Sequence, residues 1–267
     1  MNLDAQNTFS KRLRKALPNS IENSELQLAY QPICELSTKR CRYVEALLRW
    51  RFDNTWVPPK LVLSLLEQSD QLIAFHKWLF REALQQQRFW QMSYPALKMS
   101  LNISSNVFDK PTIIENLQQS LNKFKIKPST LVIEITESDL NEHPEISKNF
   151  TSKLCSFGVQ IAIDDFSGNQ LTIDALPQFS CTKLKVDKSL LASSDADVSR
   201  QDKLIPIAKL SQKLGIEVIA KGIENKNFAR AAKKSGCRSG QGFWYSKPQF
   251  GIADWDTFLM HASSHTH

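Results

Sequence analysis

Short runs of strand-like sequence alternate with amphipathic helical patterns along the 267 residues, and this alternation narrows the folds open to the chain more than any other feature. Strand-like runs fall at residues 26–33 (LQLAYQPI), 41–50 (CRYVEALLRW), 97–104 (LKMSLNIS), 130–137 (TLVIEITE), 159–166 (VQIAIDDF), 181–187 (CTKLKVD), 215–224 (GIEVIAKGIE) and 240–246 (GQGFWYS). Residues 58–90 carry apolar side chains at three- and four-residue spacing, which predicts two helices broken near Ser69 and Asp70. Helical spacing returns at 111–124, 143–158, 201–215 and 225–236. Three of these segments close on glycine, at Gly158, Gly215 and Gly236, the residue that most readily ends a helix in a left-handed turn. About eight strands alternating with helices predict an α/β protein built as a TIM-type (β/α)8 barrel. The link between the first two runs, residues 34–40, is too short for a crossover helix. That pair is therefore expected to be antiparallel, and the barrel a modified one.

Composition excludes several classes. Hydrophobic residues make up 42% and charged residues 23% of the chain, the ordinary range for a globular domain. No apolar run approaches the ~20 residues of a membrane helix, and the first residues lack the apolar stretch of a secretory signal. Five cysteines are scattered without CxxC spacing, as expected of reduced thiols in the cytoplasm. The net charge of +7 favours anionic partners. Its basic groups, at 10–15 and 229–238, are not interleaved with aromatics, so nucleic acid is not the expected ligand. His76 lies on a helical pattern, while His261, His265 and His267 belong to a polar tail. With no linker or composition shift, one domain is expected over 25–258, after an N-terminal extension (1–24) and before a flexible tail (259–267).

Functional residues of such a barrel gather at the C-terminal ends of its strands. Those ends carry Glu45, Asn102, Glu134, Glu137, Asp164, Asp165, Lys185, Asp187, Glu224 and Gln241. Singly, each suits a rim hydrogen bond or ion pair. Together, so many carboxylates would repel, and some would have to stay protonated unless a cation offset them. Oxygen donors without Cys or His form the set preferred by Mg²⁺ or Mn²⁺. One or two such ions suit phosphodiester cleavage.

The segment EALLRW at 45–50 resembles the signature of the EAL domain family, the phosphodiesterases and receptors for cyclic di-GMP. The resemblance runs from about Leu26 to about Pro248, and further motifs follow in order: LNIS, IEITES, IDDF, KLKVDKS and QGFWYSKP. It implies metal ligands at Glu45, Asn102, Glu134 and Asp164, and a catalytic neighbour at Asp165. It also implies a lysine near the attacking water at Lys185, a loop-propping Glu137, and ligand or metal-water contacts at Leu47, Arg49 and Gln241.

Two departures set this chain apart. Where the family reads AEGVE, with a glutamate that holds the second metal, residues 220–224 read AKGIE. Lys221 takes that place, and Glu224 is the glutamate that remains. Where the family reads DDFGTGYSSL, this chain reads DDFSGNQLTI, so Ser167 and Asn169 replace glycines and are expected to hold glycine-like angles at some cost. An ammonium cannot ligate a dication, so the second ion should bind poorly. Lys221 could pair with Asp165 and approach a ligand phosphate; the alternative is that it reaches solvent and Glu224 fills the site. The resemblance thus implies a domain of cyclic di-GMP signalling, impaired in catalysis and acting by binding the nucleotide, a protein partner or both. The alternative is an active phosphodiesterase giving pGpG. A homodimer is left open, and no sensor or diguanylate cyclase domain is expected, because the barrel consumes the chain.

Overall fold

The computed structural model describes residues 3–23, 25–191 and 198–250; the polar tail with its three histidines lies outside the described residues. The elements in chain order are α1 (Leu3–Glu22), β1 (Leu26–Glu35), β2 (Cys41–Phe52), β3 (Thr55–Val57), α2 (Pro59–Glu67), α3 (Leu72–Gln91), β4 (Lys98–Asn102), α4 (Pro111–Phe124), β5 (Leu131–Thr136), α5 (Glu137–Glu142), α6 (Pro144–Ser156), β6 (Gln160–Phe166), β7 (Cys181–Val186), α7 (Val198–Lys213), β8 (Glu217–Ala220), α8 (Lys226–Lys234) and β9 (Ser239–Gln241). The sheet runs β1-β9-β8-β7-β6-β5-β4-β2-β3, and β1 also pairs with β2. Eight strands therefore close into a barrel, with β3 as an added hairpin flap. β1 is antiparallel to both its neighbours, while β2 and β4 to β9 run parallel.

The short link at 34–40 does make the antiparallel pair, and α2 and α3 do part at Gln68–Gln71. Gly158, Gly215 and Gly236 take φ of +94°, +73° and +94°, as helix-stop glycines should. Two elements do not follow from the alternation. α1 buries Leu13, Leu17 and Ile21, one per turn, within the main core. β3 folds back on β2 through Asp53 and Asn54, both with positive φ.

Two predicted strands are shorter than the sequence runs. The run at 215–224 is strand only over Glu217–Ala220, because Gly222 turns at φ +72°. The run at 240–246 stops at Gln241, where Gly242 lies so close to Ile223 that an added Cβ would stand 2.2 Å from the Ile223 carbonyl oxygen. Ile223 and β9 are locked there by bonds from Ile223 N to Gln241 O (2.9 Å) and from Trp244 N to Ile223 O (2.9 Å).

Strand side chains alternate with period two, so one face of every strand fills the barrel. Ile33, Tyr43, Val132, Ala162 and Ile219 form one buried apolar layer. Below it, Tyr43 Oη donates to Glu217 at 2.5 Å and Ser239 Oγ donates to the same carboxylate at 2.7 Å. The inward residue two positions nearer the top of each of those strands is polar: Gln31, Glu45, Glu134, Asp164 and Lys221.

Candidate functional site

That polar layer is built around an ammonium. Lys185, fully buried on β7, donates to Glu45 (2.9 Å) and Glu134 (2.5 Å) and stands 3.8 Å from Asp164. Gln241 Nε2 donates to Glu45 (2.6 Å) and to Gln31 Oε1 (3.2 Å), closing the ring across β9 and β1. Asn102 Nδ2 donates to the other Glu45 oxygen at 2.9 Å, which leaves its carbonyl oxygen for a ligand.

Burial alone would lower the Lys185 pKa, but Asp164, Glu134 and Glu45 hold it well above the ordinary lysine value. Burial would raise Glu45, yet Lys185, Lys221 and the Gln241 amide outweigh it and keep this carboxyl low. Burial and the neighbouring Glu45 push Glu134 up instead. The two glutamates titrate as a pair in which Glu134 holds the proton longer.

Lys221 projects from the end of β8 onto Asp164 and Asp165. Its Nζ lies 2.8 and 2.9 Å from the two Asp164 carboxyl oxygens and 2.5 Å from Asp165 Oδ1. Its side chain keeps 25% exposure, so it caps the carboxylates at the mouth of the barrel. Burial and the neighbouring Lys185 lower its pKa, but Asp164 and Glu45 prevail and raise it. Asp165 reaches this pair from a left-handed backbone, φ +51°. Such a conformation costs a non-glycine residue roughly 1 kcal/mol and is often held at a functional position.

Glu224 does not join the group. The turn at Gly222 sends Ile223 into the core and Glu224 out, 59% exposed and 4.0 Å from Lys188. Its expected part in the site is therefore corrected: the backbone carries the carboxylate away. Asp187 also works locally, capping the turn at Ser189 with a 2.8 Å bond.

The loop after β6 differs from expectation in its strain. The positive φ falls on Gly168 (+72°), and neither Ser167 nor Asn169 takes one. Ser167 instead gains a contact. Buried Glu137, at the start of α5, accepts from Ser167 N and Oγ (both 2.9 Å), Gln170 N (3.2 Å) and Leu171 N (3.0 Å).

A cavity of about 440 Å³ opens beside the cluster, lined by Leu47, Arg49, Asn102, Glu134, Asp164 and Asp165 among others. Arg49 is half-buried and donates to the Leu48 carbonyl at 2.7 Å. His76 lines the same cavity. The sequence marked it only as part of a helix, since nothing local tells a packed histidine from one that meets a ligand.

Ligand oxygens of Glu45, Glu134 and Asp164 all lie within 4.8 Å of one another. That set fits one hard dication. The Lys221 ammonium spans Asp164 and Asp165 beside it.

Residues 14–248 match the EAL domain. The chain belongs to the EAL domain family. It is 30% identical over 233 residues to the signaling protein YkoW of Bacillus subtilis, covering 87% of this chain and 29% of that protein. It is 28% identical over 242 residues to the cyclic di-GMP phosphodiesterase PdeR of Escherichia coli, covering 90% and 36%. A solved structure of the PaMucR phosphodiesterase in complex with c-di-GMP superposes with a TM-score of 0.83 at 26% identity, over 91% of this chain and 99% of that one. The chain spans about a third of the length of these curated relatives. No helix among the described residues is long and apolar enough to cross a membrane.

Proposed function

We propose that this EAL domain binds cyclic di-GMP and is impaired in hydrolysing it, because Lys221 takes the place and charge of a second metal ion. The observation that carries the reading is the Lys221 bridge to Asp164 and Asp165. Four carboxylates, Glu45, Glu134, Asp164 and Asp165, face two ammonium groups, Lys185 and Lys221. With all four ionised, one dication balances what remains, and a second would have to be balanced by the ligand's own phosphates. Glu45, Glu134 and Asp164, with the Asn102 carbonyl, would hold that ion, with Mg²⁺ or Mn²⁺ matching their oxygen donors. When bound there, the ion would supply Lewis-acid polarisation of a phosphate oxygen. The remaining steps belong to the protein: Arg49 and Lys221 meet the anionic backbone of the ligand, and Leu47 packs against it. Glu137 keeps the loop after β6 in place. All five cysteines are free thiols, which supports the cytoplasm as the working compartment.

A second reading, an active phosphodiesterase producing pGpG, is favoured by the intact group of Glu45, Asn102, Glu134, Asp164 and Lys185. One experiment separates the two. Cyclic di-GMP binding and hydrolysis are measured on the same preparation with Mg²⁺ and with Mn²⁺. Binding with negligible turnover is expected, and a rate of ~1 per second or more would reject impairment in favour of the phosphodiesterase.

A further inference from the structure

His76 is buried, 1% exposed, on the wall of the cavity that also contains Asp164 and Asp165. The lining also includes apolar side chains, Leu47, Leu63, Phe75 and Leu79, with Lys60, Ser64 and Glu67 on α2 among its polar members. The cavity therefore offers charged groups that suit a phosphate and apolar surface that suits a flat aromatic base. The imidazole on this lining has a defined polarity. Nδ1 lies 2.8 Å from the Leu72 carbonyl oxygen, which can only accept, so Nδ1 carries the proton and Nε2 is left as a lone-pair acceptor. Nε2 has no hydrogen-bond partner among the described residues and is not among the sealed, unpartnered polar atoms. Phe75 and Phe80 flank the ring edge-on and tilted, with centroids 5.2 and 6.2 Å away, and fix its orientation. Burial holds the imidazole pKa down at about 4, so the ring is neutral near pH 7.

We propose that His76 is a specificity-determining residue, whose Nε2 accepts a hydrogen bond from the N1–H of a guanine base seated on the apolar wall. The inference rests on the nucleotide-binding reading above. Guanine presents a proton at N1. Adenine presents a lone pair there, which would face the Nε2 lone pair, and its one donor on that edge, the 6-amino group, sits where guanine carries O6, so a base seated in the same pose leaves Nε2 unpaired. A site with one fixed buried acceptor discriminates strongly between such ligands, because the wrong partner strands a desolvated polar group.

The test compares wild type with His76→Phe, which keeps a ring between Phe75 and Phe80 but removes the acceptor. Both proteins are titrated with cyclic di-GMP and cyclic di-AMP by calorimetry. Wild type should favour cyclic di-GMP. The variant should bind it about tenfold more weakly, the equivalent of ~1.4 kcal/mol, while its affinity for cyclic di-AMP changes by less than about threefold, so selectivity narrows. Unchanged or tighter binding of cyclic di-GMP by the variant would overturn the assignment and leave His76 a packing residue. Wild-type protein that binds neither nucleotide would overturn the nucleotide reading, and this contact with it. A readout on the unmutated protein guards against a variant that folds poorly. In ¹⁵N-histidine-labelled wild type, the Nε2 resonance of His76 should move on adding cyclic di-GMP and stay in place with cyclic di-AMP. No movement with cyclic di-GMP overturns the proposal independently of the variant.

Discussion

Replacing Lys221 by glutamate tests the central electrostatic argument. Lys221→Glu removes an ammonium 2.8 Å from Asp164 and sets a carboxylate in its place. An ion bound to that Asp164 oxygen would stand within about 5 Å of the lysine nitrogen, given a metal–oxygen distance near ~2.1 Å. A lysine held there repels a dication by roughly 7 kcal/mol at an effective dielectric of about 20. This is an upper bound, because the side chain keeps 25% exposure and can swing outward. Swinging out gives up its pairs with Asp164 and Asp165, each contributing about 1 kcal/mol or less at a partly exposed position. The smaller figure sets the expectation: metal affinity and cyclic di-GMP hydrolysis should each rise at least ~10-fold, equivalent to ~1.4 kcal/mol. Calorimetric titration with Mn²⁺ and a chromatographic assay for pGpG measure the two. Lys221→Ala separates the contributions, since it removes the repulsion without adding a ligand, and should improve metal binding more than turnover. Adding Ser167→Gly should not help further, because Ser167 needs no left-handed backbone and its hydroxyl binds Glu137. If Lys221→Glu changes neither metal affinity nor turnover, the charge argument fails and Lys221 is a tolerated surface residue.

Three further expectations follow from the same geometry. Arg49→Ala should weaken cyclic di-GMP binding about tenfold or more, the order of one charge-assisted hydrogen bond, with an unchanged circular dichroism spectrum; equal affinities would remove Arg49 from the site. Glu137→Ala removes the acceptor for Ser167, Gln170 and Leu171. It should cost roughly 2–4 kcal/mol in urea unfolding, since several donors lose one charged partner, and amide exchange should rise in that loop. The third concerns acid. Below its ordinary value of 6.5 the unfolded His76 takes up a proton that the native ring, held at about 4, refuses. Stability from this group is complete above pH 6.5 and falls as pH drops to about 4, by roughly 3 kcal/mol in all. Urea unfolding at pH 7 and pH 4.5 should show that loss in wild type and a smaller one in His76→Phe; equal losses would mean that His76 titrates normally.

Much of this protein follows from its sequence, because local rules act on local spacing. Alternating strand and helix patterns gave the barrel, the seven-residue link at 34–40 fixed the antiparallel start, and Gly158, Gly215 and Gly236 ended their helices. Period-two alternation put Glu45, Glu134, Asp164 and Lys221 on inward faces at one level. What Lys221 touches was decided only by barrel closure. Its partners lie 57 and 56 residues away, and no local pattern reports a distance between side chains on β6 and β8. The sequence left open whether Lys221 would reach solvent and Glu224 replace it. The turn at Gly222 and the contact between Gly242 and Ile223 settle that by sending Glu224 outward. The loop shows the same division. Ser167 and Asn169 looked strained when set beside glycines, but Gly168 takes the left-handed angle and Glu137 collects the free amides. His76 read as an ordinary helix residue until α3 packed against the carboxylate cavity. A buried histidine and a ligand-facing one carry the same local sequence, and only the packing of distant elements tells them apart.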